Sequence, residues 1–402
     1  MTNPTALAII GAGYGDEGKG LAVDVLAAAR PGTIVVRSNG GAQAGHTVVA
    51  PDGRRHVFHH VGAGAFADAP THLSRFFVAH PMMLREELQR LAGLGVRPTL
   101  GIDPRALVTT PFDVLVNQAV EIARGTARHG STGLGIGETI ERNLRPAFAT
   151  AVIDLFSPDL RDRLVAIRRE WVPVRLASLG VASLPPELAA ASVEEAMIEQ
   201  FLADADQFLA RVALRPDARL AEAGTVVFEG AQGLLLDQEY GAFPWVTRSH
   251  TGVRNMLAIA AEAGIAGIEA IYMTRAYRTR HGAGPLPGER SLGEAFKIAD
   301  PTNAPNPWQG TLRFAPLDPE ILGEAIAHDV ALSAASGVSV IASLAVTCLD
   351  QAVGPVPFGT QALDPRVAAS QIAARIGVPL TGESWGPSRT TWCWSGPARK
   401  AA

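Results

Sequence analysis

Short apolar runs rich in β-branched residues alternate along the chain with longer segments rich in Ala, Leu and Glu. Apolar runs bounded by turn residues are typical of buried strands, and apolar positions three and four residues apart are typical of helices. Principal strands are predicted at LAII, TIVVRS, RFFVAH, TVVFEG, IEAIYM and SVIASLAVTCLD. Helices are predicted over residues 19–29, 82–93, 111–125, 193–213, 253–263, 319–336 and 365–376. This alternation predicts an α/β fold with a predominantly parallel central sheet and helices on both faces.

Two stretches, residues 127–143 and 280–310, show neither periodicity and are rich in Gly, Pro, Ser and Thr. Long irregular connections inside a compact domain are usually functional loops. A hairpin is predicted to turn at Pro51-Asp52-Gly53. We predict one domain over residues 1–402, with loop and helical insertions at about 127–215 and 280–318.

Composition narrows the class of protein. With 402 residues, of which 47% are hydrophobic and 18% charged, the chain can bury a large core. A net charge of -4 gives no global basic field, so neither nucleic acid nor a membrane surface is an expected partner. The N-terminus has no basic start and no long apolar run, which argues against a signal peptide or membrane anchor. Two cysteines cannot form a disulfide framework, so a cytoplasmic location is expected.

The segment GAGYGDEGKG, residues 11–20, joins the first predicted strand to the first predicted helix. Gly13, Gly18 and Lys19 match the phosphate-binding pattern G-x-x-x-x-G-K. Gly20, however, stands where a P-loop has the Ser or Thr that binds Mg²⁺. Asp16 would repel an anion, so we interpret it as a metal ligand or as a base toward a second substrate. The alternative is a tight turn with Asp16 and Glu17 as first-turn charges of the helix.

In NGGAQAGHTV, residues 39–48, glycines and Gln43 lead to His46. Such a backbone can approach a ligand closely, with the imidazole at its edge. The other histidines singled out are interpreted as surface or core residues: His56, His59, His60, His72, His80 and His328.

Two further motifs are less specific. GSTGLGIG, residues 130–137, is either a phosphate-binding nest or a flexible linker. In the stretch that begins FEGAQG, Gln232 ends a predicted strand, where it can bind an amide-like ring edge, and Thr247 can donate to a phosphate. The alternative for both is a structural turn with satisfied polar groups.

Together, and in this order, the motifs resemble those of the adenylosuccinate synthetase family, which joins aspartate to inosine monophosphate (IMP) with GTP. YGDEGKG is similar to W-G-D-E-G-K-G, GGAQAGHT to G-G-x-N-A-G-H-T, and GSTGLGIG to G-T-T-G-R-G-I-G-P. EGAQGLLLDQEYGAFPWVT and TRHGAGPLPGE are similar to E-G-A-Q-G-x-L-L-D-x-x-x-G-T-Y-P-x-V-T and T-R-V-G-A-G-P-F-P-T-E. The resemblance implies a P-loop-NTPase-like fold, Mg²⁺ as cofactor and a homodimer.

The resemblance also implies a two-step reaction. The purine O6 attacks the γ-phosphate of GTP, and the amine of aspartate then displaces phosphate to give adenylosuccinate. The implied catalytic residues are Asp16, Lys19, His46 and Gln232, with Asp16 and the Gly45 carbonyl as metal contacts. The implied GTP site comprises Gly15, Gly18, Lys19, Gly20, Asp350, Gly386, Pro387 and Arg389. The implied IMP site comprises Gln43, Thr132, Gln232, Thr247 and His281, and the amino-acid site Thr311 and Arg313.

The largest departures from the family pattern lie in the segment that binds the amino-acid substrate in the family. The family's G-R-R-R-R-T-G-W-L-D corresponds to QGTLRFAPLD, residues 309–318, with Arg313 as its one arginine. Each lost carboxylate contact costs roughly 1.5–3 kcal/mol. Other departures are Gln43 for Asn, Leu134 for Arg, Cys348 for Lys and Ser388 for Asp. Compensating arginines could be Arg248, Arg275, Arg278 and Arg280, and Arg142 or Arg145 could replace the family's inter-subunit arginine.

Three functions remain open from the sequence. The first is adenylosuccinate synthesis. The second is a specialised paralogue that uses the same O6 activation with another amine donor or another purine-like acceptor. The third is a non-catalytic nucleotide-binding regulatory protein, and a simple P-loop NTPase is disfavoured by Gly20.

Overall fold

A computed structural model describes residues 5–125, 130–182, 184–300, 303 and 310–395. The strands are β1 (Thr5–Gly11), β2 (Thr33–Arg37), β3 (His46–Val49), β4 (Arg55–Phe58), β5 (Thr71–Leu73), β6 (Val78–Ala79), β7 (Leu100–Ile102), β8 (Leu107–Val108), β9 (Ala213–Leu214), β10 (Thr225–Gly233), β11 (Gly267–Arg275), β12 (Tyr277–Arg280), β13 (Arg313–Pro316), β14 (Ser339–Thr347), β15 (Val356–Phe358), β16 (Gln361–Leu363), β17 (Leu380–Ser384) and β18 (Trp392–Trp394). The helices are α1 (Lys19–Ala29), α2 (Pro81–Gly93), α3 (Pro111–Arg124), α4 (Ile136–Asn143), α5 (Leu160–Ala166), α6 (Val172–Ser178), α7 (Pro186–Val193), α8 (Glu195–Leu209), α9 (Val253–Glu262), α10 (Pro319–Ala331) and α11 (Pro365–Ile376).

Among the described residues, ten strands form the central sheet in the order β18-β17-β14-β11-β1-β10-β2-β5-β7-β9. Neighbours are parallel except β17 and β18, which are antiparallel. In the middle of the sheet Leu7 lies between Val227 of β10 and Glu269 of β11. The predicted α/β fold with a predominantly parallel sheet is confirmed.

Both faces of the sheet are covered, which explains the uninterrupted apolar run of β1. Leu7 and Ile9 pack into one core with residues of α1, α2, α3 and α8. Ala8 and Ile10 point the other way, into a second core with residues of α9, α10 and α11. Within the described ranges no helix is long and apolar enough to cross a membrane.

The predicted strand RFFVAH is wrong for most of its length. Only Val78–Ala79 is extended, and it pairs with β8 outside the central sheet. The sheet strand is β5, which the apolar pattern missed because it contains polar residues. His72 of β5 is buried, and its Nε2 lies 2.8 Å from Asp217 Oδ1. A buried hydrogen bond between polar side chains therefore explains why the apolar pattern missed this core strand.

The stretch 127–143 was expected to lack regular structure, but Ile136–Asn143 is α4. Gly135 precedes the helix with φ 75°, and Ile136, Thr139 and Arg142 of the helix are buried. Residues 126–129 and 304–309 lie outside the described part, so the expected loops there have no structural account. The predicted helix 193–213 is α8, preceded by α7, and α5 and α6 are helices that the pattern missed.

The remaining predicted helices are confirmed within one or two residues, apart from 319–336, which ends in a 3₁₀ turn after α10. The predicted hairpin is β3 and β4, which pair antiparallel across Pro51-Asp52-Gly53. The loops after β1, β2, β10, β11 and β14 all leave the carboxyl edge of the sheet. In open parallel sheets this edge is where ligands bind.

Candidate functional site

A cavity of about 660 Å³ lies at this carboxyl edge. Its lining includes most of the residues singled out in the sequence: Gly15, Asp16, Gly18, Lys19, Gly20, Gln43, Gly45, His46, Thr132, Gln232, Thr247 and His281. The structure thus brings together five motifs that are far apart in sequence. The predicted residues that do not line it are Thr311, Arg313, Asp350, Gly386, Pro387 and Arg389.

The first loop is shaped by Glu17. Its Oε1 accepts from the backbone N–H groups of Gly13 at 3.1 Å and Gly15 at 2.8 Å. Its Oε2 lies 3.2 Å from Lys19 Nζ, and both side chains are almost fully buried. Glu17 was not singled out as functional in the sequence, where it looked like a first-turn charge. It holds the loop and tethers the lysine.

The absence of a side chain at Gly20 is explained by β3, which packs against this position. A Cβ atom at this position would lie 2.9 Å from the Thr47 carbonyl oxygen and 3.1 Å from His46 Cβ. Both distances are closer than packed side chains normally allow. The hydroxyl of a P-loop therefore has no room here, because β3 and His46 occupy its place.

Asp16 has φ 63° and faces the cavity with its side chain 30% exposed. Its Oδ2 lies 3.0 Å from His281 Nε2, and Arg275 Nε donates to its backbone carbonyl. Burial opposes ionisation, but the hydrogen bond from His281 and the charges of Arg275 and Lys19 outweigh it and lower the pKa of Asp16. Asp16 is therefore a carboxylate at neutral pH, able to bind a cation or accept a proton.

His46 is held from behind by Glu229. Its Nδ1 hydrogen-bonds Glu229 Oε1, and since a carboxylate only accepts, Nδ1 carries the proton. Glu229 is fully buried, with Arg37 Nη1 at 3.9 Å and the Ala63 N–H donating to its Oε2 at 3.1 Å. Burial lowers the pKa of His46 to about 4 despite the opposing charge of Glu229. His46 is neutral in this state.

Gln232 follows Glu229 by three residues at the end of β10 and has φ 66°. Asn39 fixes the preceding residue in both directions, because it donates to the Ala231 carbonyl at 3.1 Å and accepts from the Ala231 N–H at 2.7 Å. Left-handed backbone at a residue other than glycine persists only where the surroundings enforce it. Gln232 is thus presented to the cavity by a pinned backbone.

The segment 130–137 also lines the cavity. Ser131 Oγ accepts from the Gly133 N–H at 3.3 Å, and Asn117 Oδ1 accepts from the Gly135 N–H at 3.2 Å. This ordered turn leads into the N-terminus of α4, which favours an anion site over a linker. Gln43 also lines the cavity, and its Oε1 is buried without a hydrogen-bond partner in the described part of the chain.

The residues assigned to the far end of the nucleotide lie beside α1. Arg389 Nη1 is 2.7 Å from Asp24 Oδ1, and the segment before it bridges to β3 through Ser388 and Val49. Burial raises the pKa of Asp24 to about 6, and the charge of Arg389 opposes this. Asp350 lies in the turn after β14, whose Thr347 Oγ1 donates to the Glu17 carbonyl at 3.1 Å.

Several arginines proposed to bind a substrate carboxylate have structural partners instead. Arg313 donates to the carbonyls of Gly282 and Gly284 and pairs with Glu289 outside the cavity. Arg280 lines the cavity but donates to three backbone carbonyls, those of Trp245, Ala283 and Pro285. The other arginines named for substrate contacts are paired as follows: Arg278 with the Pro287 and Pro316 carbonyls, Arg275 with Asp300, Arg248 with Glu141, and Arg142 with Asp113. Their predicted roles stay predictions.

The cavity residues suit a Mg²⁺ ion that also binds substrate phosphates, and they do not form a metal site made of protein side chains alone. Among the described residues no three His, Cys, Asp or Glu side chains are grouped as metal ligands. Mg²⁺ typically uses one or two carboxylates together with phosphate oxygens and waters. The ionised Asp16 and the exposed Gly45, which both line the cavity, match that donor set. His59, interpreted as structural, also lines the cavity, and its Nδ1 lies 2.7 Å from the Ala42 carbonyl oxygen.

Comparison with known proteins places these features in one family. The model of the adenylosuccinate synthetase family matches residues 8–302. An adenylosuccinate synthetase of Synechococcus sp. (strain JA-2-3B'a(2-13)) is 35% identical over 290 residues, which cover 70% of this chain and 61% of that protein. The one of Gloeobacter violaceus is 35% identical over 302 residues, which cover 71% of this chain and 65% of that protein. The chain thus spans somewhat under two thirds of the length of these curated relatives.

Two solved structures share the fold. An adenylosuccinate synthetase of Plasmodium falciparum matches with a TM-score of 0.69 at 17% identity, over 98% of this chain and 100% of that one. The succinoaminodeoxyadenylate synthetase of cyanophage S-2L, solved with dGMP and with dATP as an energy donor, matches with a TM-score of 0.61 at 18% identity, over 98% and 95%. The extent of the family match, together with the motifs gathered around Asp16 and His46, shows that the chain belongs to the adenylosuccinate synthetase family.

Proposed function

We propose that the protein is a GTP- and Mg²⁺-dependent ligase that phosphorylates O6 of IMP and substitutes it with the amine of L-aspartate, which gives adenylosuccinate, GDP and phosphate. The observation that carries the proposal is the meeting of an ionised Asp16 with Lys19, His46 and Gln232 around one cavity. A protein that only binds a nucleotide needs a cation such as Lys19 for the phosphates, but it does not need Asp16 as a base.

Each side chain has a task in this reaction. The Asp16 carboxylate accepts the purine N1 proton, which makes O6 a better nucleophile. Lys19 can offset charge on the transferring phosphoryl group, and His46 would do so as an imidazolium, with Nδ1–H held by Glu229 and a second proton taken up on Nε2 when the nucleotide phosphates bind. Mg²⁺, held by Asp16 and the Gly45 carbonyl, would supply further charge stabilisation at the nucleotide phosphates. Phosphorylation turns O6 into a leaving group that an amine can displace.

Recognition of IMP is assigned to residues that line the cavity, and recognition of GTP to the first loop and to residues outside the cavity. The IMP site comprises Gln43, Thr132, Gln232, Thr247 and His281. The GTP phosphates meet the backbone of Gly15, Gly18 and Gly20, and Asp350 accepts from the guanine edge. Gly386, Pro387 and Arg389 complete the GTP site beside α1. We also propose a homodimer, on the family resemblance, which light scattering of the purified protein tests.

A second candidate is a paralogue with another amine donor or another purine-like acceptor. Arg313 favours it, because its guanidinium is committed to Glu289, Gly282 and Gly284 and does not reach the cavity. The cyanophage protein of the same fold was solved with dGMP rather than with IMP. The residues assigned to the phosphoryl half of the reaction gather at the cavity, whereas Arg313, the predicted contact for aspartate, does not line it.

The deciding experiment supplies GTP, Mg²⁺ and IMP with single amino acids and follows both phosphate release and product mass. Adenylosuccinate formed with aspartate supports the first candidate, and turnover only with another amine or another purine monophosphate supports the paralogue. No turnover with any pair, together with GTP binding, would support a regulatory protein and exclude both ligase candidates.

Asp16→Asn tests the base directly. We expect turnover to fall by about 10²–10⁴-fold while GTP binding stays measurable. Asp68→Asn is the matched control, because Asp68 also has a positive φ, 57°, but does not line the cavity. Asn tolerates this backbone conformation, so the control should be neutral. Unchanged turnover in Asp16→Asn would contradict the assigned role.

A further inference from the structure

The carboxylate of Asp16 has a partner that the family pattern does not provide. His281 Nε2 lies 3.0 Å from Asp16 Oδ2, and both residues line the cavity. The family's T-R-V-G-A-G-P has valine where this chain has His281. Since valine cannot donate a hydrogen bond, the contact belongs to this chain's own sequence.

The position of His281 is fixed by its neighbours. It follows β12 directly, and Arg280 ties the turn together through the carbonyls of Ala283 and Pro285, at 3.1 Å and 2.8 Å. The Arg280 guanidinium also donates to the Trp245 carbonyl at 3.0 Å, across the cavity wall. A guanidinium that binds three carbonyls makes this turn rigid.

The backbone of Asp16 is fastened by the same part of the chain. Arg275, at the end of β11, donates to its carbonyl, and Asp300 Oδ2 lies 2.8 Å from Arg275 Nη2. Terminal carboxylate torsions are broad, so a fixed backbone alone does not orient the two oxygens. A donor on one oxygen does.

We propose that His281 is a positioning residue for Asp16: its Nε2–H donates to Oδ2 and leaves Oδ1 free to meet the metal ion and the acceptor. The inference rests on the proposed function, which gives Asp16 Oδ1 its role toward the metal ion and the purine. Partners of this kind usually set the orientation of metal-binding carboxylates, and their loss costs about 10–100-fold in metal affinity or activity.

The test compares three variants. His281→Val installs the family residue, and His281→Gln keeps a side-chain N–H donor. His250→Val is the control, because His250 is also partly buried beside carboxylates, 3.7 Å from Asp237 and 3.6 Å from Glu239, but does not line the cavity. Steady-state kinetics separate kcat from KM, and electron paramagnetic resonance measures Mn²⁺ binding in the presence of a non-hydrolysable GTP analogue.

We expect His281→Val to lower kcat and Mn²⁺ affinity by about 10–100-fold, with the KM for GTP within about threefold of wild type. His281→Gln should recover most of both, and the control should match wild type. Wild-type kcat and Mn²⁺ affinity in His281→Val would overturn the inference, as would a loss that glutamine does not recover. If the wild type turns over no purine monophosphate, the proposed function fails, but the Mn²⁺ titration still decides the role of His281.

Discussion

Asp16 and Gln232 both adopt left-handed backbone, with φ of 63° and 66°, and both face the cavity. Such conformations cost of order 1–3 kcal/mol in residues other than glycine and cluster at functional sites. Each is enforced by buried polar contacts, from Arg275 to Asp16 and from Asn39 to the residue before Gln232. At the residue scale, the site depends on partners behind the reactive groups.

Glu229→Gln tests one such partner. The amide keeps the shape but cannot hold the Nδ1–H of His46 as a carboxylate does, and it leaves the buried charge of Arg37 uncompensated. We expect turnover of the folded protein to fall by about 100-fold, while substrate KM values change little. Steady-state kinetics with the substrates that the wild type uses give the measurement.

Asp217→Asn is the control for this substitution. Asp217 is likewise fully buried and holds a histidine, with Oδ1 2.8 Å from His72 Nε2, but it lies away from the cavity. Both substitutions should lower the melting temperature, because each replaces a fully buried carboxylate that several donors contact. Equal turnover losses in the two variants would show that Glu229 acts through stability alone.

The sequence identified the reactive groups but not what holds them. Asp16, Lys19 and His46 stand in glycine-rich motifs, which is a local signal. Glu17 and Glu229 stand in the quoted motifs as well, but their roles are defined by contacts with loop N–H groups and with a histidine 183 positions away, which the motifs do not reveal.

At the scale of elements, the start of α1 is shaped by β3. Gly20→Ser would place a Cβ atom 2.9 Å from the Thr47 carbonyl oxygen, so β3 and His46 must shift. We expect turnover to fall at least tenfold, because misplacement of about 1 Å is costly at a reacting centre. A gain of Mg²⁺ affinity, as a true P-loop would give, would contradict this account of Gly20.

Gly137→Ser is the matched control. Gly137 is the second residue of α4, as Gly20 is of α1, and it also lines the cavity. A Cβ atom there would meet nothing within 4 Å. The control should gain a little stability rather than lose it, because serine is a better helix residue than glycine, so a loss of stability in Gly20→Ser alone reports the clash with β3.

Asp329 of α10 gives a pH-dependent link between two helices. It is buried and accepts from the N–H of Val253, the first residue of α9, and from the Tyr272 hydroxyl. Burial raises its pKa from 3.8 to about 6, although these hydrogen bonds oppose the rise. Between pH 3.8 and about pH 6, the folded protein therefore binds more protons at Asp329 than the unfolded chain does. The contribution of Asp329 to stability is full below about pH 4 and is lost as pH rises through 6.

Asp329→Asn should remove this dependence. A shift of about two pKa units corresponds to roughly 3 kcal/mol, so the variant should gain about that much stability relative to wild type between pH 4 and pH 7. Urea unfolding at several pH values measures the difference. Parallel curves for the two proteins would contradict the assignment.

Elements with one strong period were predictable, and those that depend on buried polar contacts were not. β1 and the first half of β10 are apolar runs because both sheet faces are covered. β5 escaped prediction because the packing of His72 against Asp217 is a tertiary contact. α4 escaped because its glycine-rich start resembles a loop until Gly135 takes up its left-handed conformation.

At the scale of the whole molecule, the loops that follow β1, β2, β10, β11 and β14 all lie at the carboxyl edge of the central sheet. The first loop after β1 is contacted by Arg275 from β11 and by Thr347 from β14. GTP bound at this edge should therefore stabilise the fold as a unit. At 100 times the dissociation constant a ligand adds about 2.7 kcal/mol, which for a chain of this length is a melting shift of roughly 3 °C.

Asp350→Asn tests whether this stabilisation depends on the guanine base. A carboxylate at Asp350 accepts from both N1–H and the 2-amino group of guanine, whereas adenine offers no such pair of donors. We expect Mg²⁺·GTP to raise the wild-type melting temperature more than Mg²⁺·ATP does. Loss of a charge-assisted contact, worth roughly 1.5–3 kcal/mol, should reduce the GTP shift in Asp350→Asn from roughly 3 °C to between about 0.3 and 1.5 °C and leave the ATP shift unchanged.

The control for this last measurement is Asp364→Asn. Asp364 caps α11 by accepting from the Arg366 N–H at 3.0 Å, and asparagine caps helices equally well. Its GTP shift should match wild type. Equal shifts with GTP and ATP in the wild type would contradict the guanine assignment, and would move nucleotide selection away from Asp350 toward the position where Cys348 replaces the family's lysine. An undiminished GTP shift in Asp350→Asn would have the same consequence, because no other carboxylate has been assigned to the guanine edge.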